Sequence, residues 1–350
     1  MATLRDVAKN AGVCDSQVSF VVNQRNLHLV SKERQDRILK AIEEVNYRPH
    51  RQARQIRQGR TNMMGMLLSA DRWKGSTIAP QIEGAVEASQ TQNYFLSLLR
   101  LADREITEGA LPVWIENVCI DGLILHYNQG MPSHVAEAIE KISLPVIWLN
   151  SRRSHDCVHA DEEEAGRLAT ATLLKQGHQR IAFVNPTLPR NFNGPSHHSV
   201  MDRRQGFEQA MYEARLEPLY VDFEAPSQEQ SQALSDALSK INNPPTALIM
   251  TSRWHAPGAR CVVQSLGLLG LNNQPVDILT FVPTLDDVGR VWNQIQVVLI
   301  PQKQMGAMAV DQLIQKTKKP QELLAPAVLQ PTKVFHWSVS ADSTPESFSE

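Results

Sequence analysis

The sequence predicts an all-α helix-turn-helix head, a hinge helix and then a two-lobed α/β body built on parallel sheets. Three observations carry this prediction. Apolar residues recur at helical spacing around a glycine turn at residue 12, positive charge is concentrated in residues 1–60, and short apolar runs alternate with amphipathic segments from residue 62 onward. The boundaries that follow are a head at 1–48, a hinge helix and linker at 49–61, a body at 62–337 and a disordered tail at 338–350.

Two short helices open the head. Thr3 and Asp6 stand at the spacing of a capping box, so a helix is predicted to begin at this point. Gly12 breaks that helix, and a second helix is predicted over Ser16–Val22. Two helices joined by a tight glycine turn are typical of the helix-turn-helix, whose second helix lies in the major groove of DNA.

A third helix completes the predicted head. It covers Lys32–Val45, with Ser31 as its capping residue. Its apolar residues are expected to close a small core against the inward-facing valines of the second helix. These third-helix residues are Ile38, Leu39, Ile42 and Val45, and the valines are Val18, Val21 and Val22.

Charge is distributed unevenly along the chain. Residues 1–60 hold twelve lysines and arginines against six aspartates and glutamates, in a chain whose net charge is −2. That leaves about +6 on the head and about −8 on the remainder, which points to a polyanionic partner at one end only. We therefore expect double-stranded DNA as the partner, and binding that weakens steeply with salt. A merely solvated basic helix would leave the glycine turn and the three-helix spacing unexplained.

Length and composition argue against a membrane protein, a secreted protein and a protein with a cysteine metal site. A chain of 350 residues with 42% hydrophobic residues can bury a large core, and no stretch approaches the roughly 18 apolar residues of a membrane span. No signal-peptide pattern opens the sequence, so we expect a cytoplasmic location and no membrane partner. The cysteines form no metal-binding pattern and are expected to be reduced, buried thiols, with an exposed Cys14 as the exception. They are Cys14, Cys119, Cys157 and Cys261.

Strands and helices alternate through the predicted body. The predicted strands are Met63–Leu68, Phe95–Leu99, Gly122–His126, Val146–Leu149, Ile181–Val184, Ala247–Met250, Ile278–Val282 and Val297–Ile300. The predicted helices are Ile82–Gln92, Ser133–Ile142, Glu164–Gln176, Arg203–Ala214, Gln228–Ile241 and Gln304–Lys316. Such alternation predicts parallel sheets covered on both faces, and the length favours two similar lobes with a cleft between them. Ligands of such sheets bind at the carboxyl ends of the strands.

Several segments together resemble the lactose repressor (LacI/GalR) family of bacterial transcription regulators. They are the head segment Thr3–Asn23, the stretches Val30–Pro49 and Ala53–Asn62, the run Leu174–Ala182 with its Gly-His pair, and Arg203–Phe207. The resemblance implies a homodimer on a roughly palindromic operator and a body of the periplasmic-binding-protein type. It divides that body into a first lobe at about 62–160 plus 290–320 and a second at about 161–289 plus 321–337. No apolar heptad follows Phe335, so we expect a dimer rather than a tetramer.

The resemblance also implies the DNA contacts. Asp15, Ser16 and Phe20 occupy base-reading positions, while Gln17, Ser19 and Asn23 occupy positions that contact phosphate, with Thr3 beside them. Phe20 cannot make the bidentate guanine contact of the arginine common at its position. It packs either on a thymine methyl group or a sugar, or on the core of the head. Cys14 replaces the usual serine cap, so the operator should differ from the common sites of the family.

A hinge helix is expected over His50–Gln58. The resemblance assigns its DNA contacts to Arg51, Ala53, Arg54 and Ile56. Ile56 stands where the family has a leucine that wedges into a minor-groove step, and we expect the isoleucine to do the same. The alternative is a basic linker with one incidental apolar residue.

A small-molecule effector, often a sugar or a purine in the family, is expected between the lobes. His126, Asn150 and Arg203 match cleft positions, although each could instead be a satisfied residue between the lobes. Ser252, Arg253 and Trp254 replace the usual family residues, and the acidic residue that grips sugar hydroxyls is missing after the next strand. Trp254 could stack on a sugar ring, whereas Arg253 with Arg203 suits an anion. The ligand is therefore expected to be a sugar, a sugar acid or another anion, unless sensing has been lost.

Three functions account for parts of these patterns. The first is a dimeric repressor controlled by a cleft ligand, and the second is a DNA-binding regulator that is constitutive or controlled by a protein partner. The third, a sugar-processing enzyme or solute-binding protein, lacks any catalytic motif, so no enzymatic activity and no cofactor are expected. The adjacent His197 and His198 are not expected to bind a metal. The acidic run at 161–164 is interpreted as a complement to a helix dipole.

Overall fold

The computed structural model describes residues 2–47, 61–69, 78–101, 119–126, 133–187, 197–225, 228–251, 253–285 and 295–336. The chain divides into two compact units, a head unit at residues 1–61 and a body unit at 62–350. The predicted hinge helix over His50–Gln58 and the predicted disordered tail at 338–350 lie outside the described residues.

Three α-helices form the described part of the head: α1 (Leu4–Ala11), α2 (Asp15–Val22) and α3 (Lys32–Glu44). The predicted capping box is confirmed. The amide and the hydroxyl of Thr3 each donate to Asp6 Oδ2 at 2.8 Å, and these bonds hold the pKa of Asp6 below its ordinary value. Gly12 ends α1 with a φ of 62°, a left-handed conformation that glycine adopts without a steric penalty.

The head differs from the prediction at one core residue and at one helix cap. Ile38 and Ala41 are buried as the inward face of α3, but the neighbouring Leu39 is 52% exposed. Adjacent residues on a helix point about 100° apart, so Leu39 points to solvent while Ile38 faces the core. Ser31 precedes α3 as predicted, yet its side chain makes no capping hydrogen bond.

The described body contains twelve strands and seven α-helices. The strands are β1 (Met63–Ser69), β2 (Phe95–Leu101), β3 (Gly122–His126), β4 (Val146–Leu149), β5 (Cys157–Ala160), β6 (Ile181–Thr187), β7 (Leu219–Glu224), β8 (Ala247–Met250), β9 (Asp277–Val282), β10 (Ile295–Leu299), β11 (Ala327–Leu329) and β12 (Thr332–His336). The helices are α4 (Ala79–Thr91), α5 (Ser133–Glu140), α6 (Glu162–Lys175), α7 (His198–Glu213), α8 (Gln230–Ser239), α9 (Ala256–Ser265) and α10 (Gln302–Lys318).

These strands form two six-stranded sheets, which confirms the two predicted lobes. Sheet 1 has the order β11-β5-β4-β3-β1-β2, and sheet 2 has the order β12-β10-β9-β8-β6-β7. Every described pairing is parallel except that of β10 with β12. One hydrophobic cluster continues through both lobes, from Met64 and Ile124 of sheet 1 to Phe183 and Leu279 of sheet 2.

The predicted division of the last strands between the lobes is wrong. Residues 290–320 were assigned to the first lobe, but β10 pairs with β9 in sheet 2. Residues 321–337 were assigned to the second lobe, but β11 pairs with β5 in sheet 1. Two elements do lie where they were expected: α10 packs against α4 and sheet 1, and β12 pairs with β10 in sheet 2, the sheet of the second lobe. Strand pairing over such sequence separations is a tertiary choice that local pattern does not encode.

The Gly-His pair closes the turn between α6 and β6. Gly177 has a φ of 99°, which permits the turn, and His178 then points inward with 1% exposure. The His178 ring lies 3.0 Å from Thr246 Oγ1 and 2.9 Å from Asp277 Oδ2. This histidine therefore joins the start of β6 to the starts of β8 and β9.

The cysteines only partly match their prediction. Cys157 is buried, but Cys119 and Cys261 are exposed along with Cys14, and all four are reduced. No helix within the described ranges combines the length and the apolar character needed to cross a bilayer.

Candidate functional site

The amino end of α2 presents three exposed side chains, those of Cys14, Asp15 and Ser16. Cys14 precedes the helix with extended backbone, and its Sγ lies 3.2 Å from Ser16 Oγ. Asp15 Oδ2 lies 3.9 Å from Arg5 Nε, an exposed ion pair that restrains the helix only weakly. A partner approaching this end of α2 would meet these side chains first.

The other predicted DNA contacts on α2 are half-buried. Phe20 packs against the core of the head, as in the alternative in which its ring belongs to that core, and part of it remains exposed. Asn23 Nδ2 donates to the Ser19 carbonyl at 2.8 Å, so these two residues also close the carboxyl end of the helix. Gln17, about one turn before Phe20 on α2, is also half-buried, and Thr3 is the N-terminal cap of α1.

The two helix caps of the head predict opposite mutational effects. Cys14→Ser should slow hydrogen exchange of the α2 amides by about fivefold, because a serine oxygen caps a helix better than a thiol. Thr3→Ala should accelerate exchange in α1 by a similar factor, because the capping box is lost. Exchange measured on the full chain tests both, with α3 as the internal reference. Equal exchange in wild type and Cys14→Ser would contradict the assignment of Cys14 as an unfavourable cap.

Several predicted site residues lie outside the described residues. They are the hinge contacts Arg51, Ala53, Arg54 and Ile56, together with Ser252 and the side chain of Trp254.

Two of the predicted cleft residues meet where the lobes face each other. Asn150 follows β4 with a φ of 60°, a left-handed conformation that asparagine tolerates. Its backbone carbonyl accepts a hydrogen bond of 2.8 Å from Nε2 of His197, the residue immediately before α7. His126 ends β3 and is 4% exposed, and burial together with the nearby His197 lowers its pKa to about 3. Asn150 and His126 belong to sheet 1, whereas α7 belongs to the second lobe.

Arg203 is buried in an internal ion pair. Its Nε donates to Glu162 Oε2 at 2.7 Å, and its Nη1 donates to the Thr251 carbonyl at 3.1 Å. The guanidinium carbon also lies 4.2 Å from the centre of the Phe281 ring. The structure therefore gives Arg203 a counter-ion from within the chain, which the sequence interpretation of Glu162 as a dipole complement did not foresee.

The second lobe contributes Arg253 beside β8. It begins a short 3₁₀ turn, Arg253–His255, and is 4% exposed. A second contact between the lobes runs from Arg152 Nη1 to Asp202 Oδ1 at 2.8 Å. Arg152 follows β4, and Asp202 lies on α7 one residue before Arg203. Two polar bridges thus join the segment after β4 in the first lobe to the amino-terminal part of α7 in the second.

Sequence reasoning missed His159 and His198 as cleft residues. The centres of the His197 and His198 rings are 4.1 Å apart, and His159 on β5 meets His198 edge-on at 6.0 Å. Burial and the neighbouring His197 lower the pKa of His198 to about 3. The adjacency of His197 and His198 was the available signal, but it was weighed only as a metal motif. Across the described ranges, no three His, Cys, Asp or Glu side chains are arranged to hold a metal ion.

Two family models match the chain. One, described as bacterial regulatory proteins of the lacI family, matches residues 3–50. The other, described as periplasmic binding proteins and sugar binding domain of the LacI family, matches residues 77–333 and so spans well over half of the chain. The chain belongs to the LacI family. It is a DNA-binding transcriptional repressor with an effector-binding body.

Relatives of the LacI family match over nearly the whole chain. The transcriptional repressor PurR of Edwardsiella ictaluri is 26% identical over 356 residues, covering 97% of each chain. The ribose operon repressor of Haemophilus influenzae is 26% identical over 346 residues, covering 97% of this chain and 99% of its own. Among solved structures, a lac repressor dimer bound to operator and the anti-inducer ONPF has a TM-score of 0.73 at 19% identity, covering 95% of this chain and 97% of its own. At that identity the likeness shows the fold alone.

The LacI-family body should lose stability in mild acid. Folding holds the pKa of His126 near 3, whereas an unfolded histidine has a pKa near 6.5, so the unfolded chain binds the extra proton between these values. The free energy of unfolding should therefore fall as the pH falls below 6.5, and His126 alone should contribute about 1.4 kcal/mol between pH 7.5 and 5.5. Urea unfolding at both pH values measures this loss.

A substitution identifies the group responsible. His126→Phe should remove about 1.4 kcal/mol of the pH dependence, because phenylalanine cannot bind the proton. His134→Phe, at an exposed position of α5, provides the control. An unchanged pH dependence in His126→Phe would show that other groups cause the loss.

Proposed function

We propose that this LacI-family chain represses transcription as a homodimer on a two-fold symmetric operator, under the control of a small molecule between its lobes. The observation that carries the proposal is that polar bridges between the lobes, Asn150 to His197 and Arg152 to Asp202, lie among the predicted cleft residues. A ligand bound there alters the contacts that set the angle between the lobes. It can shift the lobe arrangement only by its difference in affinity for the two arrangements.

In the head, Asp15 and Ser16 are proposed to read bases. Phe20 is proposed to pack the exposed part of its ring on a thymine methyl group or a sugar. Their exposure at the amino end of α2 supports this role, because that end of a recognition helix contacts base edges. Gln17, Ser19 and Asn23 are proposed to set the register on the phosphates. The hinge residues proposed to enter the minor groove are Arg51, Ala53, Arg54 and Ile56.

A dimer is favoured by the exposed apolar side chains on β2, an edge strand of sheet 1. Among the described strands, β2 pairs only with β1, and Phe95 and Leu98 on it are about half exposed. An apolar edge strand is a surface that a second copy of the chain can cover. A dimer also matches the two half-sites of a palindromic operator. We place the protein in the cytoplasm, with a regulatory and not a catalytic role.

The effector is proposed to be sugar-like or anionic. A sugar fits the ring stacking expected of Trp254, and an anion fits Arg203 and Arg253. The ion pair between Arg203 and Glu162 favours a second candidate, a regulator whose pocket no longer binds an anion and which is constitutive or controlled by a protein partner. Arg203 can bind a ligand anion only if its ion pair with Glu162 breaks.

Selection of randomised duplex DNA by the full-length chain tests the proposal. We expect a two-fold symmetric site whose affinity falls steeply with salt. Asp15→Ala should change the preferred base at one position of each half-site, whereas Asp36→Ala, an exposed carboxylate removed from α3, should leave the site unchanged. Ile56→Ala should weaken binding through loss of the wedge. Salt-sensitive binding with no enriched sequence would contradict the proposed roles of Asp15, Ser16 and Phe20.

A further inference from the structure

Four histidines from both lobes gather beside the ion pair of Arg203. His126 and His159 come from sheet 1, and His197 and His198 come from the start of α7. His197 interacts electrostatically with His126 and also with Glu162 and Arg203, so the imidazoles and the ion pair form one electrostatic environment. This histidine cluster lies where the proposed function places the effector.

The hydrogen bonds fix the protonation of two of these rings. His197 Nε2 faces the Asn150 carbonyl, which can only accept, so this nitrogen carries the proton. The backbone N–H of Ser199 donates to His197 Nδ1 at 3.3 Å, so His197 is neutral and both of its nitrogens are occupied. His159 Nδ1 donates to the Ala160 carbonyl at 2.9 Å, which leaves a lone pair on Nε2 when the ring is neutral.

His126 and His198 each have a buried Nε2 with no hydrogen-bond partner among the residues that the structure describes, and His126 ends a strand of sheet 1. A neutral His126 ring with its proton on Nδ1 carries a buried lone pair on this Nε2. A buried acceptor without a donor is costly, and a ligand that donates to it recovers the lost interaction.

One cation beside the cluster, Arg203, is already neutralised. Glu162 has a side chain only 2% exposed and holds Arg203 at 2.7 Å, and Arg203 also donates to Thr251. A ligand carboxylate or phosphate at Arg203 would meet the buried carboxylate of Glu162, and like charges at short range in a buried site repel strongly.

We propose that His126 and Glu162 determine the selectivity of the effector site. His126 Nε2 accepts a hydrogen bond from an uncharged hydroxyl or N–H group of the ligand, and Glu162 excludes ligands that bring their own carboxylate or phosphate to Arg203. The proposal rests on the proposed effector role of the cleft. It narrows the ligand to uncharged compounds rich in hydroxyl or N–H donors, and it excludes sugar acids and sugar phosphates.

Matched pairs of compounds test this selectivity on the full chain by calorimetry at millimolar concentration. The pairs are D-glucose with D-glucuronate, glycerol with glycerol phosphate, and adenosine with adenosine monophosphate. We expect the wild type to bind an uncharged member and not its anionic partner, and His126→Phe to weaken that binding at least tenfold. Glu162→Gln should admit the anionic member, because the amide still accepts from Arg203 but carries no charge. Glu163→Gln, on the same helix, is the control.

Nitrogen-15 NMR of the histidines provides a measurement that needs no ligand. At neutral pH the Nε2 of His126 should show the shift of an unprotonated imidazole nitrogen and should move when the uncharged compound binds. Tighter binding of an anionic member by the wild type, a protonated Nε2, or no binding by any uncharged member would each overturn the proposal. Operator selection is measured separately and without any compound, so failure here is distinguishable from failure of the proposed function.

Discussion

Replacing Glu162 with alanine will lower the free energy of unfolding of the body by about 3–5 kcal/mol. The substitution leaves the Arg203 guanidinium buried, with its side chain 10% exposed and its counter-ion gone. A buried charge without a partner costs far more than the intact pair contributes. Urea denaturation of the full chain measures the loss.

Two control variants separate this effect from helix damage. Glu164→Ala removes a carboxylate that pairs with Arg167 on the more exposed face of the same helix, and it should cost less than about 1 kcal/mol. The double variant Glu162→Leu with Arg203→Leu should be more stable than Glu162→Ala, since neither charge remains buried. A loss in Glu162→Ala no larger than that in Glu164→Ala would show that Arg203 finds another partner.

Gly166→Ala will separate α6 from α7 and destabilise the body by about 3 kcal/mol. The added methyl group would overlap the backbone carbonyl of Arg203, and the same contact recurs in reverse between Gly206 and Glu163. Backbone atoms cannot rotate away, so the helices must move apart. Because this close approach holds the backbone of Arg203, we also expect weaker binding of any cleft ligand.

Gly258→Ala in α9 is the matched control for this substitution. Its methyl group would meet only Ser231 Oγ at 2.9 Å, the end of a side chain that can rotate. Alanine is the better helix former by about 1 kcal/mol, so this variant should be as stable as the wild type or more stable. Thermal unfolding of both variants measures the difference in stability. Equal stability of Gly166→Ala and Gly258→Ala would contradict the tight packing of α6 on α7.

The head was the most predictable part, because its signals are local. The capping box of Thr3 and Asp6 and the turn at Gly12 are encoded within a few residues, and the structure places them as predicted. The error at Leu39 arose because neighbouring helix positions point about 100° apart, and the core of the head covers Ile38 but not Leu39. Apolar character alone does not say which of them faces inward.

The body was predictable where strands are continuously apolar and not elsewhere. β7 carries an alternating pattern with two acidic residues, and β11 is three residues long and half-exposed, so neither resembles a buried parallel strand. α9 was missed as well. The assignment of β10 and β11 to lobes depends on pairing with β9 and β5, which no local pattern reveals.

At the candidate site, the sequence predicted residues but not their partners. His126 ends β3, Asn150 follows β4 and Arg203 lies on α7, and their role in binding an effector stays a prediction. The pairing of Arg203 with Glu162 joins residues 41 positions apart, and the acidic run around Glu162 has a sufficient local explanation as a dipole complement. His198 acquires its role only from His159 and His197 packing around it.

The interleaving of the last strands has a consequence for biosynthesis. Sheet 1 lacks β11 and sheet 2 lacks β10 and β12 until the ribosome has translated almost the entire chain. The head, by contrast, builds its hydrophobic core from residues within the first 47 and can complete it early. A nascent chain therefore carries a finished head on a body that cannot close. A message truncated before β10 yields a basic, DNA-attracting head attached to a body in which neither sheet is complete.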